Sequence, residues 1–208
     1  MTLQGFDVSH FQSALTTEFV KHLRDDDGYS FCGIKAGEGN HQIDSNFLQN
    51  RDACRNNGFP RFLYWEMLPA SSNPLTTQLA EMMRATGGHL YPREQIAIVL
   101  GDFSVPPADA LDFAKMVATV GPVKRTGKMH RPQPTFYANR SNFQSVYIGP
   151  NFAPYAKWVA AFPGDGSEFK IPNAVAHQDS NHDPATHGDH DVWKPGADET
   201  DLLAFFRQ

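Results

Sequence analysis

Short apolar runs alternate with segments of helical period along this chain, and that alternation restricts the available folds more than any other property. Gly5-Phe6-Asp7-Val8 has the period-two pattern of a short strand, and Ala14 to Arg24 follows with Leu15, Phe19, Val20 and Leu23 at helical spacing. Phe31 to Ala36 and Phe62 to Leu68 read as the second and third strands, with a helix over Asp44 to Asn57 between them and Gly58 placed to end it. A third helix, Thr76 to Thr86, leads to Ile96-Ala97-Ile98-Val99-Leu100, whose unbroken apolar character suits a strand buried on both faces. After a fourth helix over Ala108 to Val120 and a fifth strand over Pro134 to Asn139, the helices shrink. Ser141 to Tyr147 is short, strands six and seven fall at Ala156 to Ala161 and Asn173 to Gln178, and an eighth lies around Asp191-Val192-Trp193 before a terminal helix over Asp198 to Phe206. The prediction is an α/β fold: one irregular TIM-like barrel of eight parallel strands, its helices reduced in the C-terminal half. With no repeat and no linker-like tract, residues 1–208 are expected to form a single domain.

Several function classes fall away on composition. A net charge of −5 gives no basic face for nucleic acid, and the basic residues between Lys124 and Arg131 read as a solvated loop. No apolar run approaches the ~18 residues of a membrane span. Gln4, Asp7, Ser9 and His10 interrupt any signal-peptide apolar region, so synthesis in a cytoplasm is expected. Cys32 and Cys54 are expected to be buried free thiols rather than a disulfide.

Chemistry is expected where strands end, because a sheet holds such residues rigidly while loops shape the pocket. Asp7, Glu66, Asp102 and Asp191 lie at or near strand ends as candidate catalytic carboxylates, and Glu38 follows the second strand as a supporting polar residue. Tyr64, Trp65, Tyr137, Trp158 and Trp193 lie near the same ends as flat rings that can line a pocket, Trp158 with a larger share in the core. Residues 177–191 carry four His and four Asp, but at no standard metal spacing, and a solvated, hydrogen-bonded loop is the expectation, with no metal and no cofactor.

Gly-Phe-Asp-Val-Ser-His-Phe-Gln at 5–12, Ile-Lys-Ala-Gly-Glu-Gly at 34–39, the spacing of Asp44, Phe47, Asn50, Ala53 and Gly58, and Tyr64 resemble the glycoside hydrolase family 25 lysozymes. The likeness continues through Phe-Tyr-Ala-Asn at 136–139, Lys-Trp-Val-Ala at 157–160, Gln178 and Asp191. It implies an irregular β/α barrel and an N-acetylmuramidase acting on peptidoglycan, with Asp7 and Asp191 at two site positions and Gln178 in the sugar site. The family's Asp-x-Glu on strand four is missing. With Leu100 in register, Gly101 and Phe103 replace its two acids; shifted by one, Asp102 regains the first and Ser104 replaces the second. Neither register supplies a general acid, since a Ser hydroxyl or a Phe cannot protonate a glycosidic oxygen at neutral pH. Glu66 is the candidate for a relocated acid. With that resemblance, Tyr64, Trp65, Tyr137, Trp158 and Trp193 are the rings expected to stack on sugar, and two readings stand: a peptidoglycan hydrolase with an altered acid, such as a phage lysin, or an inactive lysozyme-fold module that binds glycan or serves a virion structure with other virion proteins. The expected site of action is the bacterial cell wall or a phage particle.

Overall fold

The computed structural model describes residues 2–101, 105–124, 131, 133–162, 167–180 and 188–207. In chain order, β1 (Gln4–Val8), α1 (Thr17–Asp25), β2 (Tyr29–Glu38), the short β3 (Gln42–Ile43) and α2 (Phe47–Asn56) open the fold. There follow β4 (Arg61–Glu66), α3 (Leu75–Thr86), β5 (His89–Leu90), β6 (Glu94–Val99), α4 (Pro107–Val120) and β7 (Val123–Lys124). The last part holds β8 (Thr135–Asn139), α5 (Arg140–Ser145), β9 (Lys157–Ala160), β10 (Ala174–Ser180), β11 (Asp189–Trp193) and α6 (Glu199–Arg207). Local chemistry explains several ends. The Thr16 hydroxyl accepts the Phe19 N–H to start α1, Pro107 opens α4, and Gly87 closes α3 at φ 65°, a left-handed conformation that costs glycine little.

Strands β1, β2, β4, β6, β8, β9, β10 and β11 pair in a ring, closed by both β1–β2 and β1–β11. Seven run parallel, as predicted, but β11 is antiparallel to β10 and to β1. Only the eight residues 181–188 join β10 to β11, and a parallel return needs a crossover of a dozen or more. Beside the barrel, β5 and β7 form a separate two-stranded pair.

Strand alternation sorts the side chains into two cores. Phe6, Val8, Ile34, Leu63, Trp65, Ile96, Ile98 and Leu100 face outward into the layer beneath the helices, with Phe47, Met82 and Phe113 packed on them. Phe31, Phe62, Ala97, Trp158, Ala176 and Trp193 face inward, and α6 closes the end of the barrel from which the parallel strands set out. Phe206 packs on Phe62 at 4.9 Å and Phe205 on Trp193 at 5.3 Å.

Lys124 departs from the solvated-loop expectation. It is fully buried, and its ammonium donates to the Phe206 carbonyl at 2.5 Å. Desolvation pushes its pKa down to about 8. Arg131 is exposed and reaches the Gly121 carbonyl, while residues 125–130 lie outside the described residues. Cys32 and Cys54 are buried free thiols, in interaction with each other.

Candidate functional site

At the end of the barrel where the parallel strands finish, alternation turns Asp7 of β1, Tyr64 of β4, Val99 of β6, Tyr137 of β8, Trp158 of β9, Gln178 of β10 and Asp189 of β11 toward one cavity of about 130 Å³. Phe6 and Val8 bury themselves outward on either side of Asp7, and so fix the carboxyl inward. Space for it exists because β2 passes with Gly33: a methyl group there would come 2.7 Å from the Asp7 Cβ and 2.6 Å from the Trp158 ring.

Gln178 organises the polar groups. Its amide nitrogen donates both to Asp7 Oδ2 at 2.7 Å and to Asp189 Oδ2 at 2.8 Å, while its oxygen accepts the Tyr137 hydroxyl at 2.5 Å. Two acceptors on one nitrogen can be no farther apart than the two bonds end to end, about 5.5 Å. Asp191 lies deeper, fully buried, with Oδ1 accepting the Trp158 indole N–H at 2.7 Å. Its Oδ2 is buried without a hydrogen-bond partner among the described residues, and Asp7 lies within electrostatic reach of its carboxyl.

Burial drives the electrostatics. Desolvation, reinforced by the neighbouring Asp189, lifts the Asp7 pKa to about 8 against the opposing hydrogen bonds from Gln178, Asp191 and Tyr64. Asp191 is held well above the usual carboxylate range by burial and then by Asp7, and Asp189 is raised by burial against its bond from Gln178. Asp7 therefore retains its proton at neutral pH, which is what a proton donor to a glycosidic oxygen requires.

The other sequence candidates take different places. Glu66 follows Tyr64 on the inward face, but its carboxylate is bound by the buried Lys35 ammonium at 2.8 Å, and Glu38 meets the same ammonium at 2.7 Å. Burial disfavours the Lys35 charge, yet these two partners outweigh it and raise its pKa. Glu66 thus shares one buried ammonium with Glu38. Trp65, taken from sequence as a sugar-stacking ring, is fully buried in the outer core, because one residue of register turns a strand side chain to the opposite face. Trp193 points inward but lies at the α6 end, stacked among Phe31, Phe62 and Phe205, because β11 runs antiparallel and its last residue is at the barrel floor. Trp158 is 1% exposed and serves the site mainly through its indole N–H and one ring edge.

On β6, Ile96, Ile98 and Leu100 face outward, and Val99 lines the cavity. Alternation carries Gly101 to the inward side, so the described part of this strand brings no carboxylate to the mouth. Asp102, with Phe103 and Ser104, lies outside the described residues. Sequence reasoning missed Asp189, which stood among the acids of the His/Asp-rich segment; its period-two spacing from Asp191 was the available signal. In that segment His177 bonds the Ala161 carbonyl and His190 pairs with Asp179 at 2.6 Å. Residues 181–187 lie outside the described residues, and among the described ones no group of three His, Cys, Asp or Glu is placed to hold a metal ion.

No family model and no curated protein sequence matches the chain. Solved structures do. A bacterial lysozyme from Streptomyces coelicolor superimposes with a TM-score of 0.78 at 20% identity, covering 100% of this chain and 98% of that one. A family GH25 lysozyme from Aspergillus fumigatus gives a TM-score of 0.77 at 20% identity over 100% of both chains. The modular autolysin LytC of Streptococcus pneumoniae, solved in complex with a synthetic peptidoglycan ligand, gives 0.71 at 14% identity, covering 93% of this chain and 47% of that one. Closure by an antiparallel last strand, an acidic mouth and full-length superposition lead to one conclusion: this chain has the fold of the glycoside hydrolase family 25 lysozymes.

Proposed function

We propose that this protein engages the glycan strand of bacterial peptidoglycan at the mouth of its barrel, and that the Asp7–Asp189–Asp191 cluster, rather than Glu66, supplies the proton for glycosidic cleavage. The observation that carries this reading is the pair of acids bridged through one nitrogen of Gln178, with Asp7 holding its proton at neutral pH. A cavity of about 130 Å³ takes a substituent of a sugar, such as an acetamido group, rather than a whole ring. The protonated Asp7 would donate to the glycosidic oxygen, and the Asp189 carboxyl would accept from the N–H of such a group. The fold shared with lysozymes, one of its neighbours solved with a peptidoglycan ligand, supports the choice of glycan.

A second reading, glycan binding without cleavage, is favoured by a different observation. Val99 stands on the wall of the cavity where β6 could have placed an acid. One experiment separates the two: release of reducing ends from purified peptidoglycan, measured beside sedimentation of the protein with the same insoluble material. For the hydrolase, Asp7→Asn abolishes release and retains sedimentation, whereas Glu66→Gln leaves release within about twofold. Sedimentation without release by the native protein would establish the binding module. Loss of release in Glu66→Gln, with the fold intact, would overturn the assignment of the proton to the Asp cluster.

A further inference from the structure

The loop from β1 to α1 carries Phe11, which at 82% accessibility is the most exposed large apolar side chain among the described residues. The loop that displays it is tightly tied. Gln12 Oε1 accepts from the Ser9 N–H at 2.9 Å, the Phe11 N–H donates to Ser9 Oγ at 3.3 Å, and the Gln12 carbonyl accepts from Asn46 Nδ2 at 2.9 Å. His10 backs the ring, with centroids 4.2 Å apart and planes at 35°. His10 is itself anchored twice on the buried Asp44, through its backbone N–H at 2.8 Å and its Nδ1 at 2.9 Å. The Phe11 ring is therefore presented in a set orientation beside a hollow of about 440 Å³ that runs past Leu15 to Phe19.

Position says what such a ring is for. Three residues separate Phe11 from Asp7, so the two Cα atoms are at most about 14 Å apart, and Asp44, which anchors His10, lies within electrostatic reach of Tyr64 on the cavity wall. The platform and the carboxyl cavity line different hollows but lie within the length of a short oligosaccharide of each other. A stable protein partner would need an apolar patch of roughly 800 Å² on each side, whereas a single aromatic ring offers ~150–250 Å². That area, ringed by the polar groups of His10, Gln12 and Ser13, matches the apolar C–H face of one pyranose with its hydroxyls turned outward.

We propose that Phe11, backed by His10, is an aromatic platform on which a pyranose ring of the glycan stacks, extending the binding site beyond the carboxyl cavity. This rests on the glycan reading of the mouth given above.

The test is isothermal titration of β-1,4-linked N-acetylglucosamine oligomers, from disaccharide to hexasaccharide, against the native chain, Phe11→Ala and Phe11→Tyr. In the native chain the affinity steps up by about 3- to 10-fold once the oligomer is long enough to reach Phe11, the range expected of one aromatic stacking contact. Phe11→Ala loses that step while keeping native affinity for the shorter oligomers, and Phe11→Tyr retains it. Native affinity of Phe11→Ala for the hexasaccharide would overturn the platform and leave the mouth reading standing. A folded native chain that binds no oligomer would overturn the mouth reading, and the platform with it.

Discussion

Replacing Asp7 with Asn should make the protein more stable, and increasingly so as pH rises. The folded-state pKa of Asp7 is about 8 against an ordinary value of 3.8. Between those values the folded chain holds a proton that the unfolded chain has released. Stability from this group is therefore fully present below about pH 4 and is lost, at up to about 1.36 kcal/mol per pH unit, as pH rises through 8. Asn is neutral at every pH and nearly isosteric. Its oxygen can still accept from Gln178, and its amide supplies an N–H donor beside Asp191 Oδ2, a buried oxygen with no partner among the described residues. From pH 5 to pH 7 the native protein should lose up to about 2.7 kcal/mol relative to the variant. Sharing of protons with Asp189 and Asp191 spreads the transition and makes that figure a ceiling. At ~2–4 °C per kcal/mol for a chain of this size, the Tm gap should widen by up to about 5–11 °C across that interval. Thermal unfolding followed by far-UV circular dichroism at pH 5, 6 and 7 measures it. A gap that stays flat or narrows with rising pH would refute the claim that Asp7 is folded in its protonated form.

Other perturbations probe the frame around the site. Glu94 is fully buried between Arg51 and Arg61, accepting from both at 2.6–2.9 Å. Glu94→Gln leaves two buried guanidinium groups without their anion and should cost about 3–5 kcal/mol in urea unfolding; a loss below ~1 kcal/mol would contradict that accounting. Gly33→Ala should cost about 1–3 kcal/mol and weaken glycan binding, because the new methyl group meets the Asp7 Cβ and the Trp158 ring below 3 Å. Unchanged binding would mean that β2 moves aside without disturbing the cavity. Trp65→Phe removes a buried indole N–H with no partner among the described residues, which offsets part of the cost of the lost core volume, so stability should fall by about 1–2 kcal/mol and oligomer affinity not at all, measured by denaturation and titration. Leu202→Ala, in the helix that closes the barrel, should cost about 2–5 kcal/mol by the same denaturation assay, with oligomer affinity retained.

The eight barrel strands and six helices were legible in the sequence because the apolar pattern changes period between them, as between Phe6-Asp7-Val8 and the Leu15–Leu23 segment. Asp7 could be picked out as a carboxylate within a strand pattern, and Asp191 through the likeness to the glycoside hydrolase family 25 lysozymes. What a linear pattern cannot carry is the direction of the last strand and the face that each residue takes. Trp65 and Tyr64 are neighbours in sequence, yet one fills the outer core and the other walls the cavity. Trp193 ends a strand as the other candidate rings do, but the antiparallel course of β11 puts that end at the floor. Glu66 and Asp7 are both carboxylates near strand ends, and only the three-dimensional neighbourhood gives one an ammonium partner and the other a desolvated cluster. Sequence determined the elements, since period and capping act over a few residues. Tertiary structure decided which acids hold protons, because burial and Coulomb interaction depend on distances that close only when residue 7 meets residues 178, 189 and 191 across the barrel.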